Sequence, residues 1–74
     1  MKSLLSLRPG EAGRIIKLMP GRSDDWRKLL ALGLFPGVVV EVEQVFPAYV
    51  LRVGFTELAL DKETAGRIIV VNQP

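Results

Sequence analysis

The side chains of this sequence that come closest to a chemical site are acidic residues in three pairs: Asp24/Asp25, Glu41/Glu43 and Asp61/Glu63. Paired carboxylates can hold a hard cation such as Ca²⁺ or Mg²⁺. The first pair is adjacent on a predicted helix, so its side chains diverge. The second pair shares a strand face, but two carboxylates without a third ligand bind a hard cation weakly. We interpret the pairs as helix caps and a solvated face, and we predict no metal site and no cofactor.

Nucleophilic catalysis would need an activated thiol or hydroxyl group. The sequence contains no cysteine and no histidine, so its serine and threonine hydroxyls lack the usual neighbouring base. The Pro-Gly pairs at 9–10, 20–21 and 36–37 are typical of turns and do not form a phosphate-binding loop. The sequence therefore predicts no catalytic residue, and we expect the protein not to be an enzyme.

Charge gives little support for a nucleic-acid partner. Ten basic residues face eight acidic ones, a net charge of +2, and the two signs are interleaved along the chain. Small barrels that bind nucleic acid use a positive groove with exposed aromatic side chains, whereas the arginines here are spread over several predicted elements. We expect no nucleic-acid partner, and we keep a nucleic-acid-binding barrel as the alternative. A secreted domain of this length would normally carry disulfides, which favours the cytoplasm.

One short helix is predicted between the first two strands. Ser23 is the candidate N-cap, with acidic residues directly after it. Trp26, Leu29, Leu30 and Gly33 follow at the spacing of one helical stripe. We expect Trp26 and Leu30 in the core, Leu29 at an edge of the stripe, and Gly33 in the left-handed position that ends a helix.

The remaining pattern predicts an all-β fold. Five strands are predicted over residues 13–19, 38–43, 49–53, 57–60 and 67–71. Ile16 and Leu18 are expected to share one face of the first strand, and Asp61 is expected to cap one helical turn over residues 62–65. Short antiparallel strands with one inserted helix fit a small closed or nearly closed barrel. Residues 1–74 have room for a single domain.

Large apolar side chains lie in predicted turns. Because turns are at the surface, such groups either fold back into the core or form a docking patch. Leu34 is expected in the core, while both interpretations stay open for Phe35, Phe46 and Tyr49. With Leu29 at the helix edge, these three aromatic residues are the predicted partner-binding residues.

The segment RKLLALGLFPG, residues 27–37, resembles the signature of the ferrous iron transport protein A (FeoA) family. In that family a basic residue and Leu-Leu-x-Leu-Gly lead into a hydrophobic pair and Pro-Gly, followed by a valine-rich strand. Further matches occur in order along nearly the whole chain, upstream at residues 7–11 and downstream at 46–47, 53–54, 58–60 and 68–70. The chain departs from the family pattern in its shorter hairpin between Pro47 and Tyr49 and in Trp26, where the pattern is loose.

The resemblance implies an SH3-like barrel in the cytoplasm that assists the Feo membrane permease by docking on its cytosolic G-protein domain. Contact with the membrane would then occur only through that partner, and self-association on the same surface is a further expectation. A similar barrel forms the C-terminal domain of iron-dependent repressors of the diphtheria-toxin-repressor type. A stand-alone relative of that barrel is therefore a second alternative.

Overall fold

Six β-strands and two short α-helices make up the described part of the chain, residues 2–19 and 25–73 of a computed structural model. The strands are β1 (Lys2–Ser3), β2 (Ala12–Leu18), β3 (Val39–Gln44), β4 (Tyr49–Val53), β5 (Thr56–Leu60) and β6 (Ile68–Gln73). The helices are α1 (Asp25–Ala31) and α2 (Lys62–Ala65), and one 3-10 turn covers Leu4–Ser6. The predicted N-cap Ser23 and its neighbour Asp24 lie outside the described residues, as do the side chains of Asp25 and Trp26.

The strands form one antiparallel sheet in the order β1-β6-β2-β3-β4-β5. The two edges, β1 and β5, are not paired with each other, so the described sheet is not closed by hydrogen bonds. Helix α1 is inserted between β2 and β3, the first two long strands, which confirms the predicted β architecture. The sixth strand, β1, was not predicted because two residues are too few to show an alternating pattern.

The core lies on the inner face of this curved sheet. In β3, Val40 and Val42 are fully buried while Val39 and Glu41 are exposed, which is the period-two alternation of a half-buried strand. The same alternation buries Leu51 of β4. The buried apolar residues are Leu4, Leu7, Ile15, Leu29, Leu34, Val40, Val42, Tyr49, Leu51, Ala65, Ile68 and Val70.

Strand β2 departs from the predicted face. Ile15 is fully buried, whereas Ile16 is only half-buried and Leu18 packs against the core from a partly buried position. The register against β6 shifts between Ile15 and Lys17. This β-bulge adds one residue to β2 and therefore interrupts the alternation. Ile16 and Leu18, which were predicted on one face, are both partly buried, and the fully buried apolar side chain of β2 is Ile15.

Helix α1 also turns a different face inward. Leu29 is only 2% exposed, whereas Leu30 is 43% exposed, so the prediction of Leu30 as a core residue was wrong. The helix end explains the difference. Gly33, at φ 86°, donates its N–H to the Leu30 carbonyl at 3.0 Å, and Leu34 donates to the Leu29 carbonyl at 2.8 Å. This pattern is a Schellman motif, which folds Leu34 back toward Leu29 and directs the Leu29 side to the core.

Two local predictions at turns are confirmed. The Asp61 carboxylate accepts the Thr64 N–H at 2.7 Å and caps α2, as expected for an acidic residue before a short helix. Leu34 is fully buried, as predicted. Among the described residues, no helix has the length and apolar character needed to cross a membrane.

Candidate functional site

The four predicted partner-binding residues do not share a surface. Leu29 and Tyr49 are buried, at 2% and 8% exposure, whereas Phe35 and Phe46 are exposed at 45% and 82%. Tyr49 begins β4 and alternates with Leu51 toward the core, which is why its ring points inward. The core interpretation therefore holds for Tyr49, and the expectation that Leu29 extends an exposed surface was wrong.

Phe35 and Phe46 are also separated from each other. Phe35 precedes β3 and Phe46 follows it, and six strand residues span about 20 Å. The two exposed aromatic residues thus lie at opposite ends of the strand. Since a docking surface depends on contiguous area, they cannot be members of one small patch.

A third exposed aromatic residue, Phe55, was not singled out in the sequence analysis, and it lies at the same end of the sheet as Phe35. Phe55 is fully exposed at the tip of the turn between β4 and β5. The pairing of Glu41 with Arg52 places this turn next to the beginning of β3, where Val39 is also exposed. Phe35, Val39 and Phe55 therefore lie at the same end of the sheet, and we call them the aromatic end. The signal available in the sequence was a large apolar residue directly after the turn-forming Gly54.

A groove runs between α1 on one side and the end of β5 with α2 on the other. Its volume is about 360 Å³. The residues that line it are Lys28, Leu29, Leu32, Ala59, Leu60, Asp61, Glu63, Thr64 and Arg67. We call it the α1–β5 groove.

The groove combines an apolar floor with charges that are held in place. Leu29 and Leu60 pack in or against the core, while Leu32 remains 43% exposed on the α1 wall. On the other wall Arg67 donates to the Glu63 carboxylate at 3.0 Å. This arrangement can accept an apolar side chain between polar rims, as protein interfaces commonly do.

The outer face of β3, β4 and β5 carries an ordered set of charges. The Arg52 guanidinium donates to the Glu43 carboxylate at 2.8 Å and to the Glu57 carboxylate at 3.2 Å. The pKa of Glu43 is lowered first by its hydrogen bond with the Glu57 carboxyl group and second by its hydrogen bond with Arg52. The hydrogen bond with Glu43 raises the pKa of Glu57. Glu43 is therefore an ion-pair partner and not simply part of a solvated face.

The described residues contain no group of three or more His, Cys, Asp or Glu side chains arranged to hold a metal ion. The candidate functional features are three regions of the surface: the aromatic end, the α1–β5 groove and the charged outer face. These features suit the binding of another macromolecule, with an aromatic anchor and a polar rim.

Comparisons with known proteins agree with the sequence resemblance. The FeoA domain family matches residues 2–72. No curated protein matches the chain. A crystal structure of an iron uptake regulatory protein (FeoA) is 28% identical and covers 97% of this chain and 96% of its own, with a TM-score of 0.88.

Two other solved structures share the fold. FeoA of Stenotrophomonas maltophilia, solved with zinc and proposed there to activate ferrous iron transport as a prokaryotic SH3 domain protein, is 23% identical, with coverage of 96% and 91% and a TM-score of 0.83. IdeR of T. acidophilum is 25% identical over 92% of this chain and only 32% of its own, with a TM-score of 0.85. The fold is therefore SH3-like, and it also occurs as part of a longer chain.

Proposed function

This chain belongs to the FeoA domain family of ferrous iron transport, and on that premise we propose that it is an accessory regulatory protein that docks on the cytosolic G-protein domain of the Feo membrane permease. The family match over residues 2–72 carries the proposal. The aromatic end and the α1–β5 groove support it, because both are surfaces suited to another protein. The protein would act by binding, without catalysing a reaction, in the cytoplasm.

Docking would regulate transport by differential affinity. A ligand shifts an equilibrium between two conformations only by the ratio of its affinities for them. If the chain binds one nucleotide state of the permease tenfold more tightly than the other, saturating binding changes the equilibrium constant between the two states tenfold. This change corresponds to about 1.4 kcal/mol. Stimulated GTP hydrolysis and gating are two readouts of that shift, whereas a role in assembly needs binding alone.

The test is a calorimetric titration of the protein into the cytosolic domain of the permease, with GDP, with a non-hydrolysable GTP analogue and without nucleotide. We expect saturable binding whose affinity differs several-fold between nucleotide states. Absence of binding in all three states would contradict the proposal. Equal binding in all states would remove the regulatory part and leave only assembly.

Variants of Phe35 and Phe46, the two exposed aromatic residues among the predicted partner-binding residues, locate the surface. Hot-spot residues are large aromatic groups whose truncation costs more than about 1 kcal/mol. Phe35→Ser should therefore weaken binding by more than about fivefold, and Phe46→Ser, at the opposite end of β3, serves as the spatially separate comparison. Lys17→Ala, at an exposed position of β2, is the control and should not change the affinity for the permease. If only Phe46→Ser weakens binding, the docking surface lies at the other end of the sheet.

A further inference from the structure

The two edges of the sheet are unequal. Strand β1 pairs with β6 over only two residues, Lys2 and Ser3. Strand β5 is five residues long and pairs with β4 along its whole length, and within residues 2–19 and 25–73 no strand pairs with its other side. Proteins usually protect an edge with lysine, proline, a bulge or a very short strand. Strand β1 has the last of these protections, whereas β5 has no lysine, proline or bulge, and only its last two residues line the groove that separates it from α1.

The hairpin geometry determines which backbone groups of β5 point outward. Gly54, at φ 61°, and Phe55 form a two-residue connection, which makes Val53 and Thr56 the closing pair of the hairpin. Hydrogen-bonded and non-hydrogen-bonded pairs alternate from there along an antiparallel ladder. Glu57 and Ala59 therefore direct their N–H and C=O groups away from β4, and the side chains of both residues are exposed.

On the outer face of the sheet, acidic and basic side chains alternate from strand to strand, and the last of them is on the edge strand β5. From β3 to β5 the charges alternate as Glu43, Arg52 and Glu57. Two carboxylates share one guanidinium, so a basic side chain beyond Glu57 would continue the alternation. Opposite charges directly across two strands are stabilising and like charges are not. Strand β5 itself, Thr56–Leu60, contains no basic residue, so a second copy of β5 cannot supply that charge.

We propose that β5 accepts an extended segment of a partner protein as an additional antiparallel strand, with a lysine or arginine opposite Glu57 and an apolar side chain in the α1–β5 groove. Ala59 and Leu60 line the groove, so an incoming strand lies directly beside it. Because side chains alternate between the two faces of a strand, a basic residue opposite Glu57 faces outward, and an apolar residue opposite Leu60, three positions away, faces the groove. Backbone hydrogen bonds would give affinity and the two side-chain positions specificity, as in other cases of strand addition. This inference rests on the proposed function, since it gives the mode by which the accessory protein would hold its protein partner.

The first test uses a displayed library of random eight-residue peptides selected on the immobilised protein. We expect enriched peptides to alternate apolar residues with polar ones and to carry lysine or arginine at one fixed position. Selection on Glu57→Lys should move that position to aspartate or glutamate. Failure to enrich any peptide, or enrichment of basic peptides on both proteins, would overturn the inference.

A proline at the edge separates strand addition from other contacts. Proline is tolerated where the N–H faces solvent on an edge strand, so Ala59→Pro should remove one outward donor and leave the ladder to β4 intact. We expect at least tenfold weaker peptide binding for Ala59→Pro and less than threefold change for Lys17→Ala, an exposed position of β2 outside the groove and the β5 edge. Thermal unfolding of both variants checks the fold. If Ala59→Pro unfolds the protein, amide exchange decides: Glu57 and Ala59 N–H groups should exchange rapidly in the free protein and slowly with peptide, and no slowing would overturn the inference.

The same variants titrated into the cytosolic domain of the permease separate the two proposals. If the unaltered protein does not bind the permease, the proposed function fails, whatever the peptides show. If it binds and Ala59→Pro binds equally well, the proposed function stands and β5 is not its docking edge.

Discussion

Leu29 and Leu30 are neighbouring leucines in opposite environments. Leu29 is buried in the core beside Leu34, and Leu30 is nearly half exposed. Truncating a buried leucine removes its transfer free energy and leaves a cavity, at a cost of about 2–5 kcal/mol. We therefore expect Leu29→Ala to lower the denaturant midpoint strongly, whereas Leu30→Ala should change the free energy of unfolding by less than about 0.5 kcal/mol. Equal effects of the two substitutions would show that α1 is rotated from the orientation described.

The set of charges around Arg52 predicts a pH dependence with two opposite signs. The lowered pKa of Glu43 stabilises the fold above the unfolded-state pKa, and this contribution is lost as pH falls through the folded-state pKa. The raised pKa of Glu57 has the reverse effect: its contribution is present at low pH and is lost as pH rises through the folded-state pKa. The two effects partly cancel, so the free energy of unfolding depends less on pH with both residues than it would with Glu43 alone.

Removing Arg52 should disturb both carboxyl groups. Arg52 lowers the pKa of each of them, among other causes, so Arg52→Met should raise both pKa values in a carboxyl-carbon NMR titration. Because protonated carboxyl groups have no ion pair to lose, the variant should resemble the unaltered protein near pH 3 and be less stable near pH 7. Arg14→Met on β2 is the control. A Glu43 pKa that stays unchanged in Arg52→Met would contradict the described hydrogen bonds.

At the scale of elements, the end of α1 depends on one backbone conformation. Gly33 adopts φ 86° with no atom close to the position of a Cβ, so a side chain there meets conformational strain and no collision. A non-glycine residue in the left-handed region costs roughly 1–2 kcal/mol. We expect Gly33→Ala to lower the free energy of unfolding by that amount, and Gly33→Asn to lower it less, since asparagine tolerates this region. If the two variants are equally stable, strain at Gly33 does not limit the helix end.

The elements that could be predicted from the sequence are those set by local rules. The alternating valines of β3, the cap of Asp61 on α2 and the left-handed Gly33 each depend on residues only a few positions apart. The inward face of α1 could not be predicted, because it depends on Leu34 folding back beneath the helix. The bulge in β2 arises from its pairing with β6, more than fifty residues later, and no local pattern marks it.

The arrangement of the predicted partner-binding residues could not be predicted from the sequence for the same reason. Phe35, Phe46 and Tyr49 all lie near turns, but turn position does not say whether a ring points inward or at which end of the sheet it lies. Only the register of β3 and β4 shows that Phe55 is nearer to Phe35 than Phe46 is. Surfaces assembled from several strands therefore require the fold, whereas single capping residues do not.

For the whole molecule, the metal question separates this chain from one of its structural relatives. FeoA of Stenotrophomonas maltophilia was solved with zinc, whereas this sequence has no histidine and no cysteine. Borderline and soft ions prefer nitrogen and sulfur ligands. We expect calorimetric titration with zinc or ferrous ion to show no stoichiometric sub-micromolar binding. One-to-one binding at that level would contradict the prediction and point to an all-oxygen site.

The position of β6 in the sheet has a consequence for biosynthesis. This strand, the last in the described chain, lies between β1 and β2, so β1 has no partner and one edge of β2 is unpaired until β6 has left the ribosome. Partial sheets expose unpaired edges and apolar surface. We expect stalled nascent chains that end at residue 67 to be digested rapidly by protease, and chains with residue 73 carried past the exit tunnel by a flexible extension to resist digestion. Equal resistance would mean that β2, β3, β4 and β5 form a stable unit alone; otherwise this sheet folds only after β6 has been made.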